Sequence, residues 1–200
     1  MNKILNKYFI INLILLTPIM AMDPGTITFR KIKEFPNEAS SIAFLNQGSK
    51  ILTTGNKQIK IWDINGNEIS GLNTGIDDIY LSEITSDNNF AIGGKNPIIE
   101  LWDLEASKCI TSDELDSKPM AMTEFNQPNL LFIGTENRSM YIWDPRQKGF
   151  VNKWPGAIDG WTFDARSIPK DVKNPQGKRI LVTSHLMNVY WWGDTTGCAT

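Results

Sequence analysis

Four stretches align on a tryptophan: QIKIWDINGN (58–67), PIIELWDLEAS (97–107), RSMYIWDPRQK (138–148) and NVYWWGDTTG (188–197). Trp62, Trp102, Trp143 and Trp192 are spaced by 40, 41 and 49 residues, and the longest interval contains the insert PKDVKNPQG (169–177). One and three residues before each Trp stand Ile61 and Ile59, Leu101 and Ile99, Ile142 and Met140, Trp191 and Val189. That alternation gives each strand one apolar face. Ten residues before stand Leu52, Ile92, Ile133 and Val182, inside a second apolar strand. Eighteen before the first three stand Phe44, Ile84 and Phe125, inside another. Asn56, Asn96 and Asn137 stand six residues before their Trp; asparagine tolerates the left-handed region and suits a tight turn there. Each unit therefore reads as four short strands. Its outermost strand comes first in sequence: 27–34, 68–72, 108–112 and 149–154. A sheet this small cannot bury both faces alone, so neighbouring units must stack on it. Stacking around a channel gives a propeller, and a sandwich is the competing fold.

Composition narrows the chemistry. Two hundred residues with 41% hydrophobic and 21% charged content describe a folded chain, neither disordered nor fibrous. Twenty Lys+Arg against 22 Asp+Glu leave a net charge of −2, without the basic excess of a nucleic-acid binder. A single histidine, His185, removes most histidine-based metal and catalytic schemes.

The first residues read separately. Lys3 and Lys7 precede the apolar run YFIINLILLTPIM (8–20), and Pro18 and Ala21 follow the pattern of a cleavable signal. Residues 1–21 are therefore expected to direct export to the periplasm or the outside. The mature chain would carry no stable membrane insertion and a charge of −4, from 18 Lys+Arg against 22 Asp+Glu. An anchor through residues 8–22 is the alternative.

At this point the chain resembles the WD-repeat family. Trp62-Asp63, Trp102-Asp103 and Trp143-Asp144 match the namesake dipeptide, and the resemblance spans residues 26–200. It implies an all-β fold of about four four-stranded propeller blades and a noncatalytic scaffold that binds another protein, with no cofactor. Members of the family often lock each blade with a His after Gly, a Ser/Thr, a turn Asp and the Trp. No Gly-His pair exists here, and Asn56, Asn96 and Asn137 hold the Asp position. Thr54, Thr135 and Ser184 suit the hydroxyl role, but Gly94 stands there in the second unit. In the fourth, Leu186 replaces the turn residue and Gly193 the Asp. The blades are accordingly expected to pack mainly by apolar contact. Family propellers commonly close with seven or eight blades. Four copies therefore imply a longer parent chain, two chains completing one ring, or a tight four-blade closure, in that order of preference.

No nucleophile–base–acid set assembles. Ser184 and His185 are adjacent in sequence and point to opposite faces. Asp77-Asp78 reads as a solvated loop end and Asp63–Asn67 as a hairpin turn. Asn137-Arg138-Ser139 matches a glycosylation acceptor, although the turn explanation suffices. Cys109 and Cys198 fall in outer strands of different units. Sheets stack about 10 Å apart, which puts the two beyond the roughly 7 Å limit for a disulfide. The candidate binding face is the end where the turns before the Trp strands and the loops entering the inner strands emerge. It carries Glu38, Lys57, Asp77, Asp78, Lys95, Arg138 and Trp161, mixed charge with an aromatic. A periplasmic quinoprotein-like enzyme is the alternative, resting on export and Asp194-Thr195-Thr196-Gly197 alone. Trp102→Ala should cost about 3–5 kcal/mol in urea unfolding if that Trp is packed between sheets; a loss under about 1 kcal/mol would remove it from a core strand.

Overall fold

The apolar alternation around each tryptophan becomes a β-strand. The computed structural model describes residues 39–125, 129–168 and 179–192. Glu38, the 1–21 segment, Cys198 and Asp194–Gly197 lie outside them. The chain is all-β with four small antiparallel sheets, and none closes on itself. The first holds β1 (Ser41–Leu45), β2 (Lys50–Gly55), β3 (Gln58–Asp63) and β4 (Glu68–Asn73). The second holds β5 (Leu81–Ile84), β6 (Phe90–Gly93), β7 (Ile98–Asp103) and β8 (Lys108–Glu114). The third holds β9 (Pro119–Glu124), β10 (Leu131–Thr135), β11 (Met140–Trp143) and β12 (Phe150–Trp154). The fourth holds β13 (Thr162–Ser167), β14 (Ile180–Ser184) and β15 (Val189–Trp192). Strands neighbour one another in chain order, and the chain divides into two compact units, Met1–Thr74 and Gly75–Thr200.

One boundary differs from the sequence reading. Residues 68–73 pair with β3, not β5, and β8 and β12 likewise pair with β7 and β11. The hydrogen-bonded sheet is therefore offset by one strand from the sequence repeat. The turn after each Trp-Asp is short enough to fold the next strand straight back. At the same step in each of these pairs the register slips, between Ile61/Trp62, Leu101/Trp102 and Ile142/Trp143. The extra residue of each bulge, Ile69, Ile110 or Val151, faces solvent.

The hairpins before the tryptophans differ as well. In the first sheet Asn56 (φ 38°) and Lys57 (φ 66°) form a two-residue turn between Gly55 and Gln58. Both central residues have the positive φ that a type I′ turn requires. In the other three sheets five residues separate the paired ends: Gly93 and Ile99, Gly134 and Met140, Thr183 and Val189. The left-handed residue there is Arg138 (φ 71°) or Met187 (φ 63°), while Asn96 and Asn137 act through their side chains. Asn137 Oδ1 accepts from the Ser139 amide at 3.2 Å, and Asn96 Oδ1 from the Asp77 amide at 2.7 Å. The change in hairpin length also turns β2 over. Ile51, not Leu52, lies opposite Trp62, so Leu52 occupies the face opposite to that of Ile92 and Ile133 in their sheets.

Within the second unit the sheets stack face to face. Ala91, Ile99 and Leu101 of the second sheet pack on Met122, Leu131, Ile133, Tyr141 and Trp143 of the third. The opposite face of the third sheet, with Ala121, Phe132, Met140 and Ile142, packs on Ala165, Ile180, Val182 and Tyr190 of the fourth. The first strands β5, β9 and β13 run beside one another. In the first unit Ile51 and Trp62 form a core with Ile42. Fit at the third–fourth seam is close. A Cβ on Gly134 would meet the Thr162 side chain at 2.3 Å, so only glycine fits.

A repeated polar lock accompanies the apolar packing. The side chain two residues before the Trp accepts a backbone N–H from the segment leading in from the preceding outer strand. Gly75 N donates to Glu100 Oε1 at 3.2 Å, Asp116 N to the Tyr141 hydroxyl at 3.3 Å, and Asp159 N to the Tyr190 hydroxyl at 3.2 Å. The sequence separations are 25, 25 and 31, the last lengthened by the insert. Carboxylates add further bridges between the second and third sheets. Asp113 accepts from Trp143 Nε1 at 2.7 Å and from the Gly149 amide. Glu124 accepts from the Ser86 amide, and Glu83 from the Glu124 amide at 3.0 Å.

Removing one lock should therefore cost a hydrogen bond and leave the apolar seam intact. Tyr141→Phe and Tyr190→Phe are each expected to lower stability by about 0.5–1.5 kcal/mol in urea unfolding, nearly additively. Two unchanged midpoints would mean that the locks carry no net stabilisation.

Candidate functional site

The same backbone pattern builds one end of each sheet. The loop entering the inner strand is tied to the hairpin that precedes the Trp strand. Lys95 N donates to Asp77 O (2.9 Å), Glu136 N to Lys118 O (2.9 Å) and His185 N to Trp161 O (3.2 Å). The loop leaving the outer strand is tied to the same hairpin, through Leu115 N to Pro97 O and Ala157 N to Arg138 O. The second and third hairpins are thus held from both sides and the fourth is tied to its incoming loop, with the tip residues pointing to solvent.

The residues singled out from sequence fall on this end as follows. Asp77, Asp78 and Lys95 are brought together in the second sheet. Lys95 Nζ lies 3.8 Å from Asp78 Oδ2, with both side chains exposed, so the pair adds little stability and stays available to a partner. Asp78 has φ 46°. Gly94 stands where a hydroxyl was sought because Ile76 and the carbonyls of Asp77 and Asp78 fill that space; a Cβ there would meet Asp77 O at 2.6 Å. Arg138 is the exposed tip of the third hairpin. Trp161 lies on the fourth sheet with its ring stacked on His185, centroids 4.0 Å apart and planes at 27°. Gly160 (φ 79°) makes this possible, since a Cβ there would meet His185 Nδ1 at 2.5 Å. Lys57 is an exposed hairpin residue of the first unit, and its carbonyl takes the Thr74 amide.

Sequence reasoning missed several residues at this end. Lys118 sits 5.3 Å from the centre of the Tyr80 ring. The Tyr80 hydroxyl lies 2.8 Å from Gly94 O and 2.9 Å from Pro119 O, joining the second and third sheets, and burial pushes its phenol well above the usual range. Leu186 and Met187 form the tip of the fourth hairpin, with Met187 91% exposed in a left-handed conformation. A positive-φ methionine in solvent has no pattern in sequence to announce it. Ser184 is buried and His185 exposed, so the two do not form a nucleophile–base couple. Among the described residues no three His, Cys, Asp or Glu side chains gather as a metal set, and no helix is long and apolar enough to cross a membrane. Cys109 lies half-buried in β8, where burial pushes its thiol up.

The framework residues have local jobs. After each Trp, the Asp side chain closes the turn. Asp63 accepts from the Asn67 amide at 2.8 Å, Asp103 from the Ala106 amide at 2.8 Å, and Asp144 from the Arg146 amide at 3.1 Å. The indoles find different acceptors: Thr53 Oγ1 for Trp62, Glu100 Oε2 for Trp102 and Asp113 Oδ2 for Trp143, at 2.8, 2.8 and 2.7 Å. Trp192 lies in β15, its side chain outside the described residues.

The sequence matches no protein-family model and no curated protein.

The Asp144–Arg146 pair gives a pH test. The Arg146 guanidinium donates to both Asp144 oxygens at 2.8 Å and holds the carboxyl down at about 2. A depressed folded-state value stabilises above the unfolded value near 4 and is lost as pH falls through about 2. Arg146 is largely exposed, so solvent screens the pair and its contribution is small. Arg146→Ala should therefore lower stability at pH 7 and flatten its fall between pH 4 and 2. Equal acid profiles for both proteins would show the pair to be neutral.

Proposed function

We propose that this chain is a noncatalytic protein-interaction module of the WD-repeat type, its sheets acting as propeller blades and the hairpin end presenting a binding surface to another protein outside the cell. The observation that carries the reading is the tying of each inner-strand loop to its hairpin. Three successive sheets thereby hold Asp77, Asp78, Lys95, Lys118, Arg138 and Trp161 on a rigid frame. Stacked sheets cost little further ordering at the moment of binding, which favours recognition by a preformed face. An exposed tryptophan backed by a stacked ring is a suitable anchor, and the surrounding charges of both signs suit a polar rim. Export rests on residues 1–21 and the family on the three Trp-Asp pairs.

The test compares proteins captured by the purified chain and by variants, using quantitative mass spectrometry. Lys95→Glu/Arg138→Glu should lose the specific partner by tenfold or more, since rim charges act on association and a reversed charge repels. Lys108→Glu, on the exposed outer strand, should capture as the unmodified chain does. Equal capture by all three would overturn the assignment of the hairpin end.

A further inference from the structure

Among the described residues of the second unit, nothing packs on one face of the fourth sheet. In the third sheet, Phe132 and Met140 point away from the second sheet and are fully buried under the fourth. Leu181 and Val189 hold the same places in the fourth sheet relative to its Trp. Val189 is 53% exposed and Phe163, at the bulge of β13, is 69% exposed. The register sets Thr183 opposite Val189 on one side and opposite Asp164 on the other, so Asp164, Thr183 and Val189 form a row across three strands, with Phe163 at the bulge beside Asp164. A sheet face of this kind, built like two that are buried, is a packing surface without its partner.

We infer that this face is closed by the same face of a second copy of the chain across a two-fold axis. Two features select that occupant. The stacking repeated at the second–third and third–fourth seams is sheet on sheet, so the natural continuation is another sheet. The face is also its own electrostatic complement. Asp164 and Arg166 stand two residues apart on β13 and pair at 3.2 Å, with side chains 46% and 70% exposed. A two-fold axis passing between them sets each Asp164 against the mate's Arg166, the arrangement an isologous interface requires. Three strands of about five residues give a flat footprint of roughly 250 Å2. That is well below the ~800 Å2 per partner of standard interfaces, so the dimer is a weak, reversible one. This inference rests on the stacking part of the proposed reading and not on the hairpin end.

The test is sedimentation velocity of the whole chain from about 1 to 100 µM, a range that brackets a micromolar dissociation constant. A reversible dimer is expected. Phe163→Asp should weaken it at least tenfold, and Asp164→Arg should do the same by setting like charges together. The exchange Asp164→Arg/Arg166→Asp should restore it, because the swapped face is again its own complement. These side chains are exposed, so the variants keep the fold, which near-UV circular dichroism reads independently. A monomer throughout the range would overturn the inference, leaving the face to another protein or a further sheet. So would a dimer indifferent to Phe163→Asp, or an exchange that fails to restore association. Lys95→Glu/Arg138→Glu should dimerise normally. Loss of partner capture with dimerisation kept therefore separates failure of the hairpin end from failure of this face.

Discussion

One hydrogen bond per junction sets how these sheets follow one another. A sheet of three or four short strands gains little by itself, and the connection to the next must deliver it at a fixed place and angle. Within the second unit the side chain two residues before the Trp does this by accepting an N–H from the incoming segment, Tyr141 from Asp116 and Tyr190 from Asp159, and Glu100 accepts in the same way from Gly75 at the start of that unit. A carboxylate and two phenols perform the same act, so the position demands an acceptor of the right reach and no particular residue type. Asp116 shows how such a point gathers further contacts. It also takes the Lys153 ammonium at 2.9 Å and the Ser139 hydroxyl at 3.2 Å.

The tryptophans follow a similar logic. Each buried indole must place its N–H on an acceptor, because an unpaired donor at that depth costs about as much as the hydrogen bond it forgoes. Thr53 and Glu100 meet this need from within the same sheet, whereas Asp113 reaches Trp143 from the sheet before it. Only the last ties a seam. The Trp is thus repeated while its partner is free to vary.

Strand positions were legible because period-two burial writes itself into sequence, and Ile61, Leu101 and Ile142 are buried as their spacing requires. Sheet membership was not. Which neighbour 68–73 joins depends on the short turn after Asp63 and leaves no mark in the apolar pattern. The face that Leu52 takes was not legible either, for a similar reason. A hairpin three residues shorter in its connecting loop reverses the face, and counting back from Trp62 passes over that difference. The locks were missed because Glu100, Tyr141 and Tyr190 share no chemistry that a residue-type comparison detects. The hairpin end was legible as a location, since the turn residues mark it. The Trp161–His185 stack was not, as it depends on Gly160 leaving room across the loop.

The fourth hairpin shows where local stability and exposure part company. In the third sheet the Thr135 hydroxyl lies 2.6 Å from Asn137 Oδ1. In the fourth, Leu186 occupies the position of that asparagine, and the buried Ser184 hydroxyl has no hydrogen-bond partner among the described residues. The same four residues place Leu186 in solvent, hold Met187 at positive φ with nearly all its surface exposed, and stack His185 on Trp161. Three local rules are set aside within one turn: an unmet hydroxyl, a left-handed unbranched apolar residue and an exposed apolar tip. In the third hairpin, of the same length, the Thr135 hydroxyl is satisfied by Asn137 and the Ser139 carbonyl, so these departures are particular to the fourth. This hairpin borders both the open face of the fourth sheet and the end that carries Trp161, so the two proposed surfaces meet where the repeat is least regular.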